Sequence, residues 1–169
     1  NHLIEAIENH RQVVLHDYAS ANTGCRDRLV EPFGFTTNYV QLWCFEPESG
    51  MNKLFNTARI GEVEILNSEW AHEAEHREGH IDIFRTTGFE LHRVSLELGI
   101  LSHNLLTEEY PLSERDIRQI APNRWLLDTN VCNYLGVGRF VMGLIDDIRI
   151  VDSPEFEAYI REKIKRNNF

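Results

Sequence analysis

Arg28-Leu29-Val30-Glu31-Pro32-Phe33-Gly34-Phe35 is the stretch on which the fold of this chain turns. Leu29, Glu31, Phe33 and Phe35 alternate with Val30, Pro32 and Gly34, the two-residue period of a strand. Pro32 has no N–H to give to a ladder, so it marks an edge or a bulge. Upstream, Val13-Val14-Leu15-His16-Asp17-Tyr18 is a β-branched, strand-like run, and turn residues over 20–24 link it to the opening stretch. Downstream, Asn38-Tyr39 turns into a strand over 40–46, Pro47 to Gly50 turns into a strand over 51–56, and 60–66 sets Val63 and Ile65 against Glu62 and Glu64. Five short strands in so short a span would leave exposed edges as an open sheet, so a small curled barrel is expected over 13–66. Leu3, Ile4, Ala6 and Ile7 sit at helical spacing and predict a helix within 1–12 that feeds the first strand.

Beyond the barrel the pattern changes. Residues 67–88 are polar and histidine-rich, with Ile81, Ile83 and Phe84 as an isolated apolar cluster, and read as a partly helical connector. From 89 onward strands and helices alternate: strand over 89–96, helix over 99–109, strand over 124–131, helix over 135–144, strand over 148–151. Ser153 and Pro154 then supply an N-cap and a first-turn proline for a last helix running to about Asn167. The expected architecture is therefore α+β, an all-β module followed by a mixed module over 89–169.

Composition narrows the function. Twenty-seven acidic against 17 basic residues give a formal charge of −10, which repels a phosphate backbone unless basic side chains cluster locally. No apolar run approaches membrane-spanning length and no secretory leader opens the chain, so a cytoplasmic protein is expected. Cys25, Cys44 and Cys132 are odd in number, widely spaced and never in a C-x-x-C pair, which fits reduced thiols, mostly buried. The start at Asn1 without methionine points to a piece of something longer.

One motif argues for catalysis. His72-Glu73-Ala74-Glu75-His76 fits H-E-x-x-H, which on a helix places two zinc-ligating histidines on one face with a glutamate base. Here the residues around the histidines are charged, without the apolar face that packs such a helix into an enzyme. A solvated connector is the competing reading. No nucleophile elbow or Gly-rich phosphate loop occurs, and Gly136-Val137-Gly138 lacks the third glycine of a dinucleotide fingerprint. No cofactor and no catalytic residue is expected.

The first module resembles the WYL domain, a small Sm-like or SH3-like barrel that follows winged-helix or helix-turn-helix domains in bacterial transcription regulators. Tyr18 ends the first strand, Arg28-Leu29-Val30-Glu31-Pro32 fits the family's Arg-x-Val-x-Pro stretch, and Gly34 and Trp43 fall where a glycine and the signature tryptophan belong. Lys53-Leu54-Phe55-Asn56-Thr57-Ala58-Arg59-Ile60 follows its Arg-x-Phe-Arg-x-x-Arg-Ile spacing. Residues 89–169 resemble the family's C-terminal extension, which implies a ferredoxin-like α+β fold. The signature triplet is changed to Trp43-Cys44-Phe45, and two arginines of the later stretch are Lys53 and Asn56. Cysteine lacks a stacking face and asparagine lacks a phosphate-matching fork.

The resemblance implies a ligand-sensing region that binds single-stranded nucleic acid or a nucleotide, with duplex DNA read only by an upstream domain, and a homodimer. It points to Tyr18, Arg28, Trp43, Lys53, Asn56 and Arg59 as the ligand-binding set. Trp43 and Phe45, two apart on a strand, share a face that serves as core or as a stacking platform. Two rivals remain: a zinc-dependent hydrolase built on 72–76, and a pure dimerisation module.

Overall fold

The computed structural model describes residues 2–21, 23–36 and 39–167. Asn22 and Asn38, in two of the expected turns, lie outside them. The protein is a mixed α+β chain of two units, Asn1–Glu78 and Gly79–Phe169. That division cuts the expected 67–88 connector in two, and both halves carry buried side chains.

In the first unit, helix α1 (His2–Glu8) precedes strands β1 (Arg11–Ser20), β2 (Gly24–Phe35), β3 (Gln41–Glu46), β4 (Met51–Asn56) and β5 (Glu62–Glu69). They form one antiparallel sheet of order β4-β3-β2-β1-β5. Among the described residues no ladder joins β4 to β5, so the expected barrel is not closed by backbone pairing. Three register shifts curve the sheet, the first between Arg11 and Val13 in the β1–β5 ladder. In β1 the register slips between Leu15 and Tyr18, where Asp17 has φ 53°, and Tyr18 thereby joins Leu15 on the core side. In β2 the register slips between Pro32 and Gly34. Pro32 thus sits beside a bulge in an interior strand, and Phe33 and Phe35 leave opposite faces instead of the shared one that strict alternation predicts.

The core of this unit joins Leu3 and Ala6 of α1 to Val13, Leu15, Val30, Leu42, Cys44 and Phe55. Strand β3 is buried from Leu42 to Glu46 without alternation, the pattern of a strand covered on both faces. The second cover is the segment 70–78. It is extended but for one 3-10 turn, Glu73–Glu75, and crosses the sheet face opposite the core.

In the second unit a two-residue ladder, β6 (His80–Ile81) with β7 (Thr87–Gly88), precedes β8 (His92–Leu98), α2 (Ile100–Glu109), β9 (Ile117–Ala121), β10 (Arg124–Val131), α3 (Leu135–Gly143), β11 (Ile148–Val151) and α4 (Pro154–Arg166). The sheet order is β11-β8-β10-β9, every neighbour antiparallel. Val94, Leu96 and Leu98 of β8 and Leu127 and Val131 of β10 bury one face against Leu106, Val137, Phe140, Phe156 and Ile160 of the helices. Strand β9 was not expected from the sequence, because its inward positions are few and four of its five residues are exposed. Ser153 does not cap α4 with its side chain. Its hydroxyl instead accepts from Ser95 N at 2.9 Å and donates to Val151 O at 2.8 Å, tying β8 to β11.

Asp82 organises the start of this unit. It is buried, accepts from Phe84 N, Thr86 N and Cys132 N at 2.9–3.0 Å, and so inserts Phe84 into the core. Helix α3 packs tightly on that turn: a Cβ on Gly136 would lie 2.8 Å from the Phe84 Cβ and 3.2 Å from the Thr86 Cγ2. Gly136→Ala is therefore expected to destabilise the second unit by about 1–3 kcal/mol through overpacking, measured by urea titration, whereas Gly143→Ala, with nothing near its Cβ, lacks that penalty.

Candidate functional site

Four of the six sequence-selected residues meet at one end of the first unit's sheet, on its core side. Arg28, opposite Leu15 on β1, is only 7% exposed. Its guanidinium lies over the rings of Phe55 at 5.1 Å and Tyr18 at 5.9 Å, and its Nε donates to the Glu46 carboxylate at 2.6 Å. Lys53, opposite Cys44, donates to the other Glu46 oxygen at 2.7 Å. The Lys53 side chain, 32% exposed against 7% for Arg28, is the more accessible cation of the two. Tyr18 is edge-on to Phe55 at 5.0 Å, and its hydroxyl accepts from the Asn56 backbone N at 2.9 Å. The Asn56 side chain turns elsewhere and caps the 3-10 turn Thr57–Arg59 by accepting from Ala58 N.

The other two lie apart from this group. Arg59 is exposed and donates to Ala19 O at 3.3 Å. Trp43 is buried, and alternation along β3 places it on the face opposite Cys44 and Glu46. The pairing logic is that of a compensated buried charge: Arg28 and Glu46 offset each other's desolvation, and Lys53 adds one partly exposed ammonium. Sequence reading missed Glu46. Its signal was a carboxylate ending the apolar run Leu42–Phe45, two residues after Cys44 on the same face.

The other face of β2 holds a second charged centre. Glu31 is fully buried and accepts five hydrogen bonds: from Gln12 Nε2 and Ala71 N at 2.8 Å, from His72 N and His72 Nδ1 at 3.2 Å, and from His76 Nε2 at 2.8 Å. Aromatic rings close around it. His76 stacks on Phe33 at 4.7 Å, Phe45 lies 5.1 Å from His72, and Trp70 stacks on His10 at 4.2 Å. The histidines of the H-E-x-x-H stretch therefore do not share a helix face. They flank a 3-10 turn and converge on a carboxylate of another strand. Among the described residues no group of three or more His, Cys, Asp or Glu is placed to hold a metal ion. The stretch 70–78 of the expected partly helical, solvated connector contains that one 3-10 turn and has six exposed residues, and it is held to β2 as a strap through Glu31.

Burial opposes ionisation of Glu31 and Glu46, but hydrogen bonds outweigh it. Those from Ala71, Gln12, His76 and His72 hold the Glu31 carboxyl down at about 2, and those from Arg28, Lys53 and Ser49 hold Glu46 at about 2. Both groups have a lower pKa folded than unfolded, so their stabilisation is full above the ordinary carboxylate range and is lost as pH falls from about 4.5 toward 2. The first unit is expected to unfold across that window, ahead of the second, which can be followed by the fluorescence of Trp43 and Trp70 against that of Trp125.

The three cysteines are free; Cys25 is exposed, Cys44 and Cys132 are buried, and burial pushes the Cys44 thiol well up. Among the described residues no helix is long and apolar enough to cross a membrane.

No protein-family model matches the chain, and no curated protein matches it. Among solved structures it is similar to proteasome accessory factor B/C (PafBC) of Arthrobacter aurescens, at 17% identity and a TM-score of 0.41, over 99% of this chain and 27% of that one. The chain thus spans about a quarter of that protein's length.

Proposed function

We propose that this chain is the effector-sensing part of a WYL-type bacterial transcription regulator, with a phosphate-bearing effector, single-stranded nucleic acid or a nucleotide, docking beside Arg28 and Lys53. The reading starts from the sequence resemblance over both modules. The observation that carries it is the pair of cations on Glu46: the Arg28 guanidinium, oriented by Glu46 and flanked by Phe55 and Tyr18, beside the partly exposed Lys53 ammonium. A fork fixed in that way loses little freedom when it takes a phosphate. The meander with β5 beside β1 supports a curled, SH3-like relative of the Sm fold. The order β-α-β-β-α-β, with the first strand between the fourth and third and the second at the edge, supports a ferredoxin-like second unit. A cytoplasmic homodimer, with duplex DNA read by a separate domain of the whole regulator, completes the proposal.

The test is titration of the chain with fluorescent short single-stranded DNA and RNA at several salt concentrations. Lys53→Ala and Arg59→Ala are the informative variants, since Arg28→Ala also breaks a buried ion pair. Expected is binding that weakens with salt and with either substitution. No binding at low salt, or binding indifferent to both substitutions, contradicts the proposal.

A further inference from the structure

The two charged centres of the first unit lie back to back on the same three strands. On β2, Arg28 faces the proposed ligand site and Glu31 faces the strap. On β3, Glu46 holds Arg28 while its neighbour Phe45 packs on His72 and His76, at 5.1 and 6.1 Å. On β4, Lys53 bonds Glu46 while its neighbour Asn52 donates to Glu75 O at 3.0 Å and accepts from Arg77 N at 3.3 Å. Consecutive residues of a strand point to opposite faces, so a displacement of β3 or β4 that repositions Glu46 or Lys53 moves Phe45 or Asn52 with it. The strap ends at Glu78, the last residue of the first unit, so what moves the strap moves the point from which the chain enters the second unit.

We infer that the strap 70–78 is the coupling element of the sensor: occupancy at Arg28 and Lys53 tightens its hold on Glu31, and through it sets the exit of the chain toward the second unit. The inference rests on the ligand reading above. A phosphate bridging Arg28 and Lys53 ties β2 to β4, the strands that the strap spans through Glu31 and Asn52. Restricting those strands favours the docked strap. Thermodynamic linkage then requires the converse: loosening the strap must weaken the ligand by the same factor.

The experiment measures amide hydrogen exchange at Ala71 and His72, whose N–H groups donate to Glu31, with and without a ten-residue oligothymidylate. The Gly61 amide, bonded to His16 O at 2.9 Å on the β1–β5 side, serves as the internal reference. Expected is a slowing of about fivefold or more at Ala71 and His72 relative to Gly61, and a loss of oligothymidylate affinity by a matching factor in Asn52→Ala and His72→Ala. Binding that leaves both amides unchanged, with both variants at wild-type affinity, overturns the inference and leaves the ligand reading standing. If oligothymidylate does not bind, the ligand reading falls, and coupling between the faces is judged from Lys53→Ala alone. That substitution is expected to speed exchange at Ala71 and His72 about fivefold relative to Gly61; no change there overturns the coupling itself.

Discussion

Glu31→Ala is expected to cost the first unit about 3–5 kcal/mol, because it strips five donors of the fully buried carboxylate they share. Domains have only about 5–15 kcal/mol of net stability, so this variant leaves the unit at the edge of unfolding. The strap should detach first, since Ala71, His72 and His76 lose the partner that holds them to β2. Glu31→Gln keeps the shape but offers one oxygen and a donating amide, and it too should lose most of this stability. Urea titration read by Trp70 fluorescence measures both. A wild-type midpoint in either variant would mean that the carboxylate is not the clasp.

Glu46→Ala carries the second large effect, also about 3–5 kcal/mol, since it leaves Arg28 buried against Phe55 and Tyr18 with no counter-charge. The informative companion is the double variant Arg28→Met with Glu46→Leu, which fills the space with apolar side chains and removes both desolvated charges. It should regain most of the lost stability while losing nucleic-acid binding. If the double variant is as unstable as Glu46→Ala, the cost lies in packing or in Lys53 and not in the unpaired guanidinium.

All five strands of the first unit and β8, β10 and β11 of the second were legible because alternation reports which face is buried, while β6, β7 and β9 were not, and β1 through β4 start and end close to where turns and β-branched runs place them. What alternation cannot show is a bulge. One extra residue at Phe33 sends Phe33 to the strap and Phe35 to the core, although both occupy the same parity in the sequence. A second cover on a sheet is equally hard to see. The strap is polar in composition, yet its His76 is almost fully buried, and its partner is a glutamate 45 residues earlier. Read alone, 72–76 offers either a metal motif or a solvated linker; the pinned strap emerges only when Glu31 is asked what satisfies a charge on an otherwise apolar stretch. Of the candidate site, the cations and the tyrosine were chosen on the family resemblance, whereas Glu46, which decides how Arg28 is held, carries no motif. Asn56 shows the limit of carrying a position over: its backbone meets Tyr18 while its side chain caps a turn.

Where an anionic ligand lands on this chain is open to direct mapping, because the second unit offers a competing surface. The outer face of its sheet carries Arg93 and Arg124, paired with Asp128 and Glu97, and exposed Arg118 and Arg149 on the flanking strands. Amide chemical shifts recorded by NMR during titration with a short oligothymidylate separate the two surfaces. The proposed function predicts the largest shifts at Tyr18, Arg28, Lys53, Asn56 and Arg59. Shifts confined to β8–β11, with the Arg28 and Lys53 amides unmoved, would contradict it.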